Sequence, residues 1–399
     1  MKKKIAYILS RFPTVSETFI LYEIVELCKL GVDVHIFPLI HQKETVLHAE
    51  VEVLSPKVYY PEHFSRSILK DHLFWLLKNP RGYVQTILHV ITKNMASFKF
   101  LSRAVIVMLL AAPTARKIEE LGIDHIHAHA ATHSTLMAYI LSSLTGISYS
   151  FTAHSSDIYF NQTMLHEKIR HSSFVATISK YNQSFLQRLY PDIPIEKIKV
   201  IHCGIDPAKF QNKPPQRLTG PFNIICVGRL EKIKGHKYLI EALAQLKEHN
   251  IDFVCQLVGD GELRAEIQKQ IYRLNLEQNV ILLGFQPHEK VIELVSQADV
   301  LVLPSLSEGI PVAAMEGMAS GVAVIATAVT GVSELVEDSI TGLLVPSQNS
   351  TALTEAIVEM YKSPEFRQKL GNAGQKRVFE EFNLQHCVAK LYDVFQEMS

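Results

Sequence analysis

Two carboxylates stand with seven residues between them in the run Pro304-Ser-Leu-Ser-Glu308-Gly309-Ile310-Pro311-Val-Ala-Ala-Met-Glu316-Gly317. Glu316 is the only charged residue between Glu308 and Glu334, and its neighbours are Val, Ala, Met and Gly. A carboxylate in so apolar a setting needs hydrogen-bond donors, and paired sugar or ribose hydroxyls would supply them. The competing reading, two surface glutamates on an amphipathic helix, lacks a polar face for Glu316 to join. Just upstream, Val300–Leu303 reads as a strand, and Pro311 suits the first turn of the helix that follows. The N-terminus of that helix would offer N–H donors and a positive dipole end to a diphosphate.

Two cations carry the complementary chemistry. Arg229 and Lys234 lie in Val227-Gly228-Arg229-Leu230-Glu-Lys-Ile-Lys234-Gly235, directly after a strand-like run, where they could neutralise a departing diphosphate; ordinary solvated loop charges would have the same spacing. His154 and Asp157 follow another strand-like run in Thr152-Ala-His154-Ser-Ser-Asp157-Ile-Tyr159. A histidine at a strand end is, taken alone, more often structural. Near the start, Thr14 and Glu17 have capping-box spacing and predict a helix N-terminus after the first strand. His125, His127 and His129 alternate and so share one strand face, a spacing that would suit a metal ion. Buried alternation in a parallel strand explains them equally well, and no metal is expected.

The elements that must position these residues are legible as a rhythm. Short β-rich runs at Ile5–Leu9, Val32–Phe37, His125–His129, Tyr149–Thr152, Phe174–Ile178 and Val200–His202 alternate with amphipathic segments, the pattern of βαβ units. The stretch 211–220, with adjacent prolines, breaks it. Strand-like runs then resume at Asn223–Val227, Phe253–Val258, Val280–Leu283, Val300–Leu303, Ala323–Ala326 and Leu343–Val345. A chain of 399 residues exceeds one ordinary core,. The expectation is therefore α/β, with two Rossmann-like doubly wound domains, 1–210 and 221–399, joined by the linker 211–220 and facing a central cleft, and a last helix that packs back on the first domain. Ligands bind outside the carboxyl ends of such strands.

Gly-Arg-Leu-x-x-x-Lys-Gly followed by Glu-x7-Glu resembles the retaining glycosyltransferases of family 4, which have the GT-B fold, and the likeness extends to Val258-Gly-Asp-Gly-Glu-Leu-Arg264 and Leu283-Gly-Phe285. The resemblance implies that Gly228, Arg229 and Lys234 hold the donor diphosphate, Glu308 the hydroxyls of the transferred sugar and Glu316 the ribose. It also implies backbone donors at Gly309 and Ile310, and a base placed by Phe285 or Gln286. His154 would reach the sugar, and Asp157 would orient it or touch the acceptor. The opening Ser10-Arg-Phe-Pro-Thr14-Val-Ser-Glu17-Thr18-Phe19-Ile resembles bacterial exopolysaccharide enzymes of the colanic-acid type and departs from the Gly-Gly loop of many relatives; Ser16, Glu17 and Thr18 are the implied acceptor contacts. His154, Arg229, Lys234 and Glu308 would be the catalytic group.

The implied reaction is transfer of a hexosyl group, from a UDP-hexose first and GDP-mannose next, to a hydroxyl of a lipid-linked or soluble saccharide, with retention, no cofactor and no metal. A nucleotide-sugar 2-epimerase and a non-catalytic nucleotide-sugar-binding protein are the alternatives. A nicotinamide dehydrogenase is excluded, because no glycine occurs between Ser10 and Glu17,. Forty basic residues balance forty acidic ones, which removes a global argument for nucleic acid. Five scattered cysteines suit reduced thiols in a cytoplasmic protein. The N-terminal apolar run is too short for a signal peptide, and the stretch Ala104 to Ala112 too short for a membrane span. Segment 64–103 is strongly basic, with Phe74, Trp75 and Tyr83 interleaved. It reads either as helices with a solvated basic face or as a peripheral contact with an anionic membrane surface.

Overall fold

Strands that are apolar on both faces can be buried only between two layers of helices, and both sheets of this protein are built that way. The computed structural model describes residues 2–14, 18–42, 49–61, 66–210 and 220–398. The first sheet contains β1 (Lys4–Phe12), β2 (Asp33–His41), β3 (His125–His129), β4 (Tyr149–Ala153), β5 (Val175–Thr177) and β6 (Ile198–Val200), all parallel, in the order β2-β1-β3-β4-β5-β6. The second contains β7 (Phe222–Val227), β8 (Phe253–Val258), β9 (Val280–Gly284), β10 (Val300–Leu303), β11 (Ala323–Thr327) and β12 (Leu343–Val345), in the parallel order β12-β11-β10-β7-β8-β9. Each order reverses direction once, between β1 and β3 and between β7 and β10. Those two reversals are the topological switch points at which ligands of open α/β sheets bind.

The chain divides into two units, residues 1–201 with 388–399, and residues 202–387. The sequence placed the boundary at 211–220, of which 211–219 lie outside the described residues. The structure moves it earlier, because Ile205 N donates to Phe382 O at 3.0 Å and Leu384 N to Ile205 O at 2.9 Å. Ile205 and Phe210 are thereby committed to the core that holds Val378 and Phe382. Residues 388–399 join the first unit through Phe395, which is fully buried beside His125, His127 and Phe174.

The basic segment is a set of three helices, Arg66–Lys78, Pro80–Asn94 and Phe98–Leu121. The third runs well past residue 103 and, among the described residues, is the one helix long and apolar enough to cross a membrane by length and composition. The expectation drawn from the apolar run alone was too short, since helix propagation continues through Pro113. One face of this helix, including Ala104, Val107, Ala111 and Ala115, belongs to the core of the first unit. Trp75 is fully buried, its indole N–H donating to Ala112 O at 3.0 Å, so the tryptophan of the basic segment is a core residue.

The alternating histidines of β3 are satisfied by the neighbouring strand. Parallel register sets His127 beside Ser150 and His129 beside Thr152. His125 Nε2 and His127 Nδ1 lie 2.7 and 2.8 Å from Ser150 Oγ, and His127 Nε2 lies 3.0 Å from Thr152 Oγ1. Burial holds the His125 imidazole down at about 3 and that of His154 at about 4, and pushes His127 well below its usual 6.5. The unfolded chain therefore binds more protons than the folded unit below pH 6.5. Stability from these neutral imidazoles is intact above that value and is lost as pH falls toward 4. Each contributes a slope of about 1.4 kcal/mol per pH unit in that window, so together they lower the melting temperature by on the order of 10 °C per pH unit. Fluorescence of Trp75, the only tryptophan, should report this; a melting temperature flat across the window would contradict it.

Candidate active site

In the second unit the residues predicted to carry chemistry collect at the β7/β10 switch point. The loop after β7 carries Arg229 and Lys234, and the loop after β10 carries Ser305 and Glu308. Parallel pairing of β7 with β10 at Val300–Ile224 and Leu301–Ile225 fixes both loops at the same end of the sheet. Leu306 N then donates to Ile233 O at 2.7 Å, stitching them together. Gly235 permits this approach. Its φ is +66°, and a Cβ there would stand 2.0 Å from Pro304 O. A similar constraint acts at Gly259, with φ +131° and Gly228 O 2.1 Å from any added Cβ.

The stitched loops hold a charge pair. Lys234 Nζ lies 2.6 Å from Glu308 Oε1, which also accepts from Ser305 Oγ at 2.7 Å. Glu308 is buried, and its backbone N–H donates to Thr330 Oγ1 at 2.9 Å while Thr330 Oγ1 donates to the Glu308 carbonyl. A carboxylate held by an ammonium, a hydroxyl and its own anchored backbone has a fixed position. Arg229 is more exposed and pairs with Glu231 at 2.8 Å.

Helix Val312–Ala319 follows, with Pro311 at its N-cap in an extended conformation instead of within the first turn. Gly309 and Ile310 are buried immediately before it. Glu316 is buried on this helix and finds a partner that the sequence reading missed, His288 Nε2 at 2.7 Å. His288 opens helix His288–Ser296, just after β9; a histidine three residues beyond Phe285 was the available signal. Phe285 is exposed, and Gln286 Nε2 donates to Leu283 O at 2.8 Å.

The first unit assembles a second constellation at its own switch point. His154 Nε2 lies 3.2 Å from His129 Nδ1, His129 Nε2 lies 2.9 Å from Glu23 Oε1, and Tyr7 O–H donates to the same oxygen at 2.9 Å. Glu23, His129 and Tyr7 come from helix Thr18–Lys29, β3 and β1. Of these three, the sequence marks only His129, as one of the alternating histidines of β3 at which no metal is expected. Glu23, His127 and His129 bring their ligand atoms within 4.8 Å of one another, yet both His127 nitrogens already have hydroxyl partners. Burial keeps His154 neutral near pH 7, with His129 acting in the same direction and Asp157 opposing. The Asp157 carboxylate accepts from Ala131 N at 2.8 Å, Ser155 N at 2.7 Å and His154 N at 3.1 Å. It thus orients the His154 loop. Lys168, buried and pushed down to about 7 by that burial, braces the neighbouring loop after β3 through Ala131 O at 2.9 Å. Thr18 begins its helix, whereas Ser16 and Glu17 lie outside the described residues.

Residues 16–209 match the family model described as Glycosyltransferase Family 4, and residues 208–377 the model described as Glycosyl transferases group 1. The uncharacterized glycosyltransferase MJ1178 of Methanocaldococcus jannaschii is 30% identical over 88% of this chain and 99% of its own. The chain belongs to glycosyltransferase family 4. The putative colanic acid biosynthesis glycosyltransferase WcaL of Escherichia coli K12 is 28% identical to this glycosyltransferase over 99% of the chain and 100% of the relative. The crystal structure of Anabaena HepE in complex with UDP-glucose superposes with a TM-score of 0.77 at 20% identity, covering 99% of each chain, and it supports the GT-B fold.

The glycine requirement generates a direct test. Gly235→Ala forces a side chain into a left-handed backbone position and against Pro304 O, at a cost of about 2 kcal/mol or more. Lys232→Ala, exposed on the same loop, should cost less than about 0.5 kcal/mol. Denaturant unfolding of the two variants compares them, and equal stability would show that the loops do not depend on this close approach.

Proposed function

We propose that this glycosyltransferase moves a hexosyl group from a nucleoside diphosphate sugar to a hydroxyl of a lipid-linked saccharide during cell-surface polysaccharide synthesis in the cytoplasm, with retention of anomeric configuration. The observation that carries the reading is the Lys234–Glu308 pair, fixed at the β7/β10 switch point and backed by buried Glu316. A UDP-hexose is the favoured donor, with GDP-mannose next. A solved relative of the same fold binds UDP-glucose, and relatives are named for colanic acid and amylovoran biosynthesis.

The residues divide the work by charge. Lys234 and Arg229 meet the diphosphate, and the N-terminus of helix Val312–Ala319 adds its positive dipole end through the backbone of Gly309 and Ile310. As the sugar–phosphate bond breaks, negative charge grows on the leaving oxygen, and these groups stabilise it more in the transition state than in the bound donor. Glu308, with one oxygen held by Lys234 and Ser305, presents its carboxylate to sugar hydroxyls. Glu316, turned from His288, accepts from the ribose. His154 acts as a neutral hydrogen-bonding group toward the sugar, its loop set by Asp157. Acceptor attack on the face that the diphosphate leaves preserves the configuration. With two cations and a helix terminus at the diphosphate, the reaction proceeds without a divalent ion.

Arg229→Ala and Glu316→Ala should each weaken UDP binding by roughly tenfold to hundredfold, since each removes a charge-assisted hydrogen bond. Titration calorimetry on folded variants tests this, and unchanged affinity in both would overturn the donor site. Turnover of UDP-glucose should persist in excess EDTA. Loss of turnover that manganese or magnesium restores would refute the metal-independent reading.

A further inference from the structure

We propose that the outward faces of helices Arg66–Lys78, Pro80–Asn94 and Phe98–Leu121 form a docking surface for an anionic lipid bilayer. A helix on the surface of a water-soluble unit carries one apolar stripe, turned inward. Each of these three carries a second, turned outward. On the first it is Leu69, Leu73 and Leu77, on the second Val84 and Leu88 with Met95 at its C-cap, and on the third Phe98, Ile106 and Leu109, all exposed. Leu69 is 77% exposed and Phe98 86%. The spacing in each set follows the helical repeat, so the residues line one side of each helix.

One residue joins the three helices. His72 Nε2 lies 3.2 Å from Leu109 O and therefore donates to it, while Nδ1 accepts from Tyr83 O–H at 2.8 Å. Leu73 and Val84 each follow a residue of this junction and Leu109 belongs to it, and all three are exposed. Exposed apolar patches mark interaction surfaces.

The charge around the patch selects the partner. No Asp or Glu occurs between Asp71 and Glu119, and Asp71 is held by Arg116 at 3.2 Å. Lys78 and Lys93 are paired with Glu119 and Glu167 at 2.7 and 2.6 Å. Lys70, Arg81, Lys99 and Arg103 are exposed and supply the positive rim. A surface at once apolar and ringed by cations fits a bilayer with anionic headgroups, which offers hydrocarbon beneath a negative layer. The inward face of Phe98–Leu121 stays in the core of the unit, so this helix lies along the interface and does not span it.

Flotation with vesicles of phosphatidylcholine alone and of phosphatidylcholine with phosphatidylglycerol tests the surface. The wild-type chain should bind the anionic vesicles at low salt and bind the neutral ones far less. Changing Lys70, Arg81, Lys99 and Arg103 to Gln should weaken partitioning by roughly a hundredfold or more, at about fivefold per charge. Leu69→Gln with Leu73→Gln and Leu77→Gln should weaken it by about tenfold per residue. Unchanged Trp75 emission in each variant confirms the fold, and unchanged UDP affinity separates this result from the donor-site reading. Absence of binding to anionic vesicles, equal binding by either variant, or a dimer in light scattering that the leucine variant abolishes without any vesicle binding would each overturn the proposal.

Discussion

A parallel sheet covered on both faces leaves room for chemistry only where its strands end, and a buried carboxylate can stay there only if donors are delivered to it. In the second unit the delivery is made by Lys234 and Ser305, which bind the same oxygen of Glu308 from the loops after two adjacent strands. Removing either loop from its place would leave a buried charge without its partners, a cost of several kcal/mol. The backbone approach at Gly235 and the bond from Leu306 N to Ile233 O exist to keep that from happening. Sheet order, glycine placement and charge pairing are thus one arrangement seen at three scales.

The first unit meets the same constraint with neutral groups. Its carboxylates, Glu23 and Asp157, are also pinned, one by Tyr7 and His129, the other by three backbone N–H groups. Here burial acts on imidazoles, keeping His154 uncharged beside them. A neutral imidazole can both donate and accept a hydrogen bond, whereas Lys234 and Arg229 of the second unit carry fixed positive charge.

The helices Arg66–Lys78, Pro80–Asn94 and Phe98–Leu121 stand outside this logic. Their inward faces are ordinary core, with Trp75 and Val90 fully enclosed. Their outward faces keep apolar area in contact with water, which the folding of the unit does not require. Exposed leucines repeated at helical spacing are therefore a property that a partner, rather than the core, explains.

Much of this was determined by the sequence alone. The alternation of short apolar strands with helices specifies two parallel sheets because the period of each element is written in its own residues. The Gly-Arg-Leu and Glu-x7-Glu spacings identify the family, since loop chemistry at strand ends is local. What the sequence could not determine was which residues meet. His288 with Glu316, and Glu23 with His129, are joined across elements far apart in the chain, and their pairing depends on sheet order. The solvent face of the basic segment was equally hidden. Leu77 and Trp75 are neighbours in sequence, both apolar, and only packing decides that one is enclosed and the other left outside. Periodicity states that a helix has a preferred face; the tertiary structure decides what that face touches, because burial belongs to pairs of elements and not to either one.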